Sequence, residues 1–309
     1  MIGIESVASY LPPGRINNLG RAEEIGSTRE QVELRIGFRE LAIKAPTETT
    51  LSMATEALSR ALSSSEWGPS ELELVVVVTQ NPDRRIPHIS ADLHGKLGLP
   101  PRCACFDIGL GCSGYVYGLS VVSAFMAANG MSKGALVTAD PYSRIVDQHD
   151  KNTSLIFGDG ATATLMSSSP RFTLGSFTFG TQGAEADKLA CNDGRLFMNG
   201  RAVFNFAATN VPLDIERVIA ENGLTLDKID RFIVHQGSRF IVETIADRLK
   251  VPREKMPFLA AQYGNTVSSS IPMILAETLA DSDFQSAVLG GFGLGFSWAS
   301  TVLQRQKVK

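Results

Sequence analysis

Apolar runs and amphipathic stretches alternate along the chain. Leu72–Val78 (LELVVVV) is an almost continuous apolar run rich in valine, the pattern of a strand buried on both faces. Cys103–Ile108 (CACFDI), Gly134–Ala139 (GALVTA) and Thr162–Ser167 (TATLMS) read as further strands. Between Thr50 and Ser64, the residues Leu51, Ala54, Leu58 and Leu62 share one helical face. In the second half, Arg231–Gly237 (RFIVHQG) is a strand candidate that ends in polar residues. Ser238 can cap a helix on which Ile241, Ile245 and Leu249 align. Pro212 and Gly223 bracket a helix expected over Pro212–Asn222. Ser286–Gly293 and Gly295–Gln304 close the chain as strands. Alternation of this kind predicts an α/β fold with a covered sheet.

The two halves follow one plan. LVVVVTQ, FDIGLGCSGYVYGLSVVSAF, GALVTAD and IFGDGATATLM run in the same order as RFIVHQG, AAQYGNTVSSSIPMILAETL, SAVLGGFG and GFSWASTVL. The spacings agree: Thr79 to Cys112 is 33 positions, and His235 to Asn265 is 30. Any two α/β halves share some of this grammar. A duplication would place Cys112 and Asn265 at strand-to-helix turns and His235 at the end of an adjacent strand. Ligands in such sheets bind outside the carboxyl ends of the strands. The expected division is residues 1–168, carrying the cysteine, and 169–309, carrying the histidine and the asparagine.

Composition narrows the class. With 44% hydrophobic and 20% charged residues over 309 positions, the chain is of the folded type and long enough to bury a large core. The net charge of −3, from 29 basic and 32 acidic residues, supplies no field for nucleic acid. Four cysteines (Cys103, Cys105, Cys112, Cys191) are too few and too clustered for a disulfide framework. The opening MIGIESVASYLPPG carries Glu5 and no basic segment, so it is not read as a signal peptide, and a cytoplasmic location is expected. Ile108–Ala128 is uncharged, but its glycines, serines and tyrosines suit a helix inside a large protein better than a membrane span. No histidine pair has metal-ligand spacing and no CxxC occurs, so no metal site is expected.

Cys112 is the strongest chemical signal. It lies in DIGLGCSGYVYGL, after a strand and at the start of a small-residue helix. The free N–H groups and dipole of a first helical turn stabilise a thiolate. Cys103 and Cys105, at alternate strand positions, fit the inert buried cysteine instead. Gly109, Gly111 and Gly114 also match G-x-G-x-x-G, with Asp140 26 positions on. That is the competing signature of a nucleotide-binding oxidoreductase. His235 follows a strand and precedes a turn, a position suited to acid–base work or hydrogen-bond donation. Asn265 in QYGNTVSSS is either a turn residue or an uncharged donor for a developing oxyanion. The glycine-rich GGFGLGF (Gly290–Phe296) can bring backbone N–H groups to the same place.

Together these residues resemble the β-ketoacyl-acyl-carrier-protein synthase III family of the thiolase superfamily. The resemblance runs through RIGFREL (Arg35–Leu41), FDIGLGCSG, IFGDGA (Ile156–Ala161), FMNGRAVFNFA (Phe197–Ala207), VHQGS, YGNT and FGLGFSW. It implies a duplicated αβαβα five-layer fold, a homodimer, and a Cys112-His235-Asn265 triad with Cys112 and Leu294 N–H groups as the oxyanion site. Its implied chemistry is transfer of an acyl group from acyl-CoA or acyl-acyl-carrier protein to Cys112, then decarboxylative condensation with malonyl-carrier protein. No metal or other cofactor is implied.

Departures from the family pattern bear on the substrates. Gln31 stands where a stacking Trp is usual, Lys151 where an Arg is usual, Phe240 where a second Arg is usual, and Asn205 where a basic carrier contact is usual. These leave open acyl transfer to a hydroxyl or amine as the alternative reaction. Arg35, Lys151, Arg239 and Arg248 are the expected carrier or coenzyme A contacts, with Arg239, Arg248 and Lys250 either a docking patch or a solvated helix face. Ile86 (from the partner subunit), Phe157, Leu196, Met198, Phe204 and Phe292 are the expected acyl-pocket residues, and their bulk suggests a short or branched acyl group. Arg84 and Arg85 read as a solvated loop.

Overall fold

The computed structural model describes residues 1–306. Nine strands form the main sheet: β1 Gly3–Tyr10, β2 Leu74–Val78, β3 Ala104–Ile108, β4 Lys133–Ala139, β5 Ala161–Ser167, β6 Phe172–Thr181, β7 Arg231–Val234, β8 Ser286–Gly293 and β9 Ser297–Arg305. Their spatial order is β7-β8-β9-β6-β1-β5-β4-β2-β3. The strands β2, β4, β5 and β1 run parallel, antiparallel, antiparallel. The strands β7, β8, β9 and β6 repeat that pattern. Among the described residues the two half-sheets pair where Gly3 and Ile4 meet Thr173 and Phe172.

The main helices are α1 Thr50–Ser63, α2 Ile89–Leu97, α3 Gly114–Ala128, α4 Gly200–Glu221, α5 Arg239–Leu249 and α6 Ser270–Thr278. They lie in the layers αβαβα: α1 and α2 outside the first half-sheet, α3 and α6 between the halves, α4 and α5 outside the second. The valine run of β2 shows why. Val75 and Val77 enter the core beneath α1, whereas Leu74, Val76 and Val78 enter the core shared with α3 and α6. A strand with an apolar layer on each face has no use for the alternating pattern of a half-exposed one. A capping box between Thr49 and Ser52 starts α1. On α3, a Cβ at Gly118 would stand 2.7 Å from Leu136, so glycine lets this helix sit close on the sheet.

The uncharged Ile108–Ala128 stretch is the end of β3, a turn, and the helix α3, which buries Tyr115, Val116, Leu119, Val122 and Met126 and leaves Val121 exposed on its other face. Among the described residues no helix is long and apolar enough to cross a membrane.

One expected element is corrected. Pro212 does not open a helix; it sits inside the 22-residue α4. Asn199 caps α4 by accepting from the Ala202 N–H at 3.0 Å. An apolar face of Phe206, Val211, Ile215, Val218 and Ile219 stays buried across the proline. Burial of that face outweighs the one backbone bond that proline removes.

Candidate active site

Cys112 stands in the turn between β3 and α3 and is 4% exposed. Its neighbours are held tightly: the Gly114 N–H donates to the Gly111 carbonyl at 2.8 Å, and Ser113 Oγ bonds to Ser297 Oγ at 2.7 Å. The end of β8 crosses against this turn. A Cβ on Gly293 would lie 2.8 Å from Cys112 Sγ, and one on Gly291 would lie 3.0 Å from Ser113 Cα. The glycines of GGFG are therefore the means of approach between the halves.

His235 follows β7, and its N–H donates to the Gly290 carbonyl at 2.9 Å. Its Nδ1 is 2.7 Å from Ser270 Oγ, at the start of α6. Its Nε2 is 3.4 Å from Asn265 Nδ2. Asn265 is clamped by its backbone: its N–H donates to the Ile156 carbonyl at 2.8 Å, and its carbonyl accepts from the Gly158 N–H at 3.0 Å. This bridge explains the IFGDGA segment, since a Cβ on Gly158 would lie 1.9 Å from the Tyr263 oxygen. The Val267 N–H donates to Asn265 Oδ1 at 2.8 Å, which turns the NH2 end toward His235. Val267 holds φ at +56° to do so, a strained conformation for a β-branched residue.

Cys112, His235 and Asn265 line one cavity of 390 Å³ with Phe157, Leu189, Met198, Phe204 and Phe292. The cavity is apolar at the sulfur and cationic at the mouth, where Arg35, Lys151 and Arg201 open onto it. None of these three cations has a carboxylate partner among the described residues. The mouth also carries an aromatic stack, Phe204 on Phe240 with centroids 5.0 Å apart, and the Arg35 guanidinium lies over the Phe240 ring at 5.7 Å.

The thiol is not the resting thiolate expected from its helix end. Burial and the nearby Asp140 charge push its pKa up to about 12, against hydrogen bonds from the Cys112 and Leu294 N–H groups. Those two N–H groups are thus aimed at the reacting position, but desolvation dominates. Burial also holds the His235 pKa down to about 3, with the Val267 backbone acting the other way. A neutral thiol beside a neutral imidazole is the resting state. The Ser270 hydroxyl can donate to or accept from Nδ1, so either imidazole tautomer is supported.

Other expected residues fall elsewhere. Leu196 is buried in the wall but does not line the cavity. Ile86 is 85% exposed on the single chain. Arg239 is turned away from the mouth: its guanidinium packs over Phe258 at 4.9 Å and lies 3.8 Å from Glu243. Arg248 is exposed and outside the cavity. Arg84 pairs with Asp92 at 2.6 Å, as suits a loop residue. Arg201 and Ser270 were not singled out in the sequence; the only signals were a cation in the FMNGRAVFNFA segment and a hydroxyl run after Asn265. The dinucleotide reading fails on geometry. Asp140 is fully buried and accepts from Thr79, Gln80 and Ser268, leaving it no ribose to meet. Gly114 presses on Val78, where a phosphate would need open space.

Family models described as 3-oxoacyl-[acyl-carrier-protein] synthase III and its C-terminal part match residues 106–183 and 219–305. The chain is 32% identical to β-ketoacyl-[acyl-carrier-protein] synthase III of Neisseria gonorrhoeae, over 97% of this chain and 98% of that one. The chain belongs to this synthase III family. It is 34% identical to the Geobacillus kaustophilus synthase III, over 98% of each chain. The crystal structure of the Pseudomonas aeruginosa synthase III superimposes with a TM-score of 0.91 at 30% identity, covering 100% of this chain and 99% of that one. As a synthase III family member, the chain is an acyltransferase of thiolase fold, and its αβαβα layers are those of its solved relatives.

Proposed function

We propose that the chain primes Cys112 with an acyl group from an acyl thioester and condenses it, with loss of carbon dioxide, onto malonyl-acyl-carrier protein to give a 3-oxoacyl product. The observation that carries this reading is the meeting of Cys112, His235 and Asn265 in one apolar cavity, with the Cys112 and Leu294 N–H groups on the sulfur. Residues 1–168 supply the nucleophile, and residues 169–309 supply the two donors.

In the first step the Cys112 sulfur attacks the thioester carbonyl and the carrier thiol leaves. His235 Nε2 takes the thiol proton and passes it to the leaving sulfur. The Cys112 and Leu294 N–H groups hold the tetrahedral oxyanion. In the second step the Asn265 NH2 and the Nε2–H tautomer of His235 donate to the malonyl thioester oxygen. The carboxylate leaves as carbon dioxide, and the electron pair it leaves behind forms an enolate. The enolate carbon attacks the acyl-Cys112 carbonyl, the C–S bond breaks, and the thiolate takes up one proton from solvent, the proton the condensation consumes overall. Decarboxylation supplies the carbanion, so this sequence uses neither a metal nor a further cofactor. The unpaired Arg35, Lys151 and Arg201 suit a phosphate-bearing carrier arm at the mouth. A homodimer in the cytoplasm is the proposed working form, with the exposed Ile86 covered by the partner.

The departures at Gln31, Lys151 and Phe240 leave room for a second reading, transfer of the acyl group to a hydroxyl or amine acceptor. Intact-protein mass spectrometry with a panel of acyl-CoA and acyl-carrier-protein donors reads the acyl group directly, and Cys112→Ala is expected to abolish it. Addition of malonyl-carrier protein separates the two reactions. Condensation requires carbon dioxide release and a new carbon–carbon bond; turnover of acyl-Cys112 by another acceptor without either one refutes it.

A further inference from the structure

Three consecutive serines follow Asn265 closely in the chain, and only the last of them touches His235. Ser268, Ser269 and Ser270 are all buried, so each hydroxyl needs a partner inside the protein. Ser270 Oγ meets His235 Nδ1 at 2.7 Å. Ser269 Oγ meets Thr138 Oγ1, on β4 of the first half, at 2.7 Å. Ser268 Oγ donates to Oδ2 of Asp140, just past the end of β4, also at 2.7 Å. Asp140 is fully buried. Its other oxygen accepts from the Gln80 N–H at 2.7 Å and from Thr79 Oγ1 at 3.3 Å, both just past the end of β2. A buried carboxylate is costly to keep charged, and burial raises its pKa to about 6. It takes no part in the reaction steps above, and it does not line the cavity.

Asp140 is bonded to the turn that aims Asn265. Val267 directly precedes Ser268. Its N–H donates to Asn265 Oδ1 at 2.8 Å, and it keeps φ at +56° to do so. A β-branched residue stays in that conformation only where its surroundings hold it there. We propose that Asp140 is a positioning residue for the decarboxylation step: through Ser268 it holds the Val267 turn, and so keeps the Asn265 NH2 pointed at the malonyl thioester oxygen. This rests on the condensation reading above. The acylation step uses the Cys112 sulfur, His235 Nε2 and the two oxyanion N–H groups, and not Asn265. The latch therefore acts on one half-reaction and spares the other. The bond also crosses between the halves, so the half that supplies the nucleophile sets the donor of the other.

The test measures two rates on one preparation. Acylation of Cys112 by acetyl and butyryl groups, offered on coenzyme A and on carrier protein, is followed by intact-protein mass spectrometry. Carbon dioxide release from malonyl-carrier protein is followed separately. Ser268→Ala is expected to lower decarboxylation about tenfold relative to acylation, the scale set by one hydrogen bond to a charged group. Ser268→Thr keeps the hydroxyl and is expected to restore most of the ratio. Asp140→Asn must leave its oxygen on the Gln80 N–H and so turns its NH2 onto Ser268; a smaller drop in the ratio is expected. A general loss of folded enzyme lowers both rates and leaves the ratio alone. Asn265→Ala identifies the route: in that background Ser268→Ala is expected to change the ratio no further. An unchanged ratio in folded Ser268→Ala, or in Asp140→Asn where only that variant folds, overturns the proposal, and so does a further drop in the Asn265→Ala background. A wild type that is not acylated, or that is acylated but releases no carbon dioxide, is a different result, which removes the acyl-enzyme or the condensation reading itself.

Discussion

The contact between Gly293 and the nucleophile can be tested with a single methyl group. Gly293→Ala places a methyl group directly against the nucleophile. The new Cβ would sit 2.6 Å from Cys112 Cβ and 2.8 Å from Cys112 Sγ. Carbon atoms in contact want about 3.5–4.0 Å, so one side must yield by roughly 1 Å. Overpacking of this size costs about 1–3 kcal/mol of stability. A nucleophile misplaced by about 1 Å loses on the order of a hundredfold in rate. The control is Gly109→Ala, three residues before Cys112, where a Cβ meets nothing within 4 Å. The assay is initial acylation of Cys112 by intact-protein mass spectrometry, alongside thermal unfolding of both variants. Gly293→Ala is expected to lose on the order of a hundredfold in acylation, and Gly109→Ala to stay near wild type. Wild-type acylation in a folded Gly293→Ala protein would refute the argument that β8 comes this close because glycine permits it.

Further outcomes follow from the charges and bonds of the site. Because burial holds the Cys112 pKa up at about 12, its alkylation by iodoacetamide, measured as the difference between wild type and Cys112→Ala, should still be rising at the alkaline end of the accessible range; a plateau near neutrality would contradict it. His235 has its folded pKa depressed to about 3, so its contribution to stability is complete above the ordinary imidazole value and is lost as pH falls toward 3. Urea unfolding across that window should show a steeper loss in the wild type than in His235→Gln. His235→Ala should keep some self-acylation but lose malonyl decarboxylation, and equal decarboxylation by the two proteins would remove its donor role. Ser270→Ala leaves Nδ1 without its 2.7 Å partner; a loss of about 1–3 kcal/mol in transition-state stabilisation and an altered pH–rate profile are expected, with rescue by Ser270→Thr. Arg201→Ala should raise KM for carrier-borne donors by about tenfold at low salt, with little change in kcat.

Much of the architecture was legible in the chain. The valine run of β2, the helical face of α1 and the small-residue α3 are local patterns, and their periodicity names the element and its buried face without further information. Cys112 was legible for a related reason: a cysteine among glycines at a strand-to-helix turn is a poor core residue. Packing alone decided the rest. The bridge between Phe157 and Asn265 joins segments more than a hundred residues apart, and it sets the Asn265 carboxamide with Val267 in a strained conformation. Arg239 and Phe240 are adjacent in the chain, yet one is drawn to Glu243 and Phe258 while the other faces the mouth. Pro212 reads as a helix start until the buried face of α4 is seen to continue past it. The protonation of the thiol was out of reach for the same reason. A helix end is a local feature, but desolvation is a sum over everything that surrounds the sulfur, and only the folded chain carries out that sum.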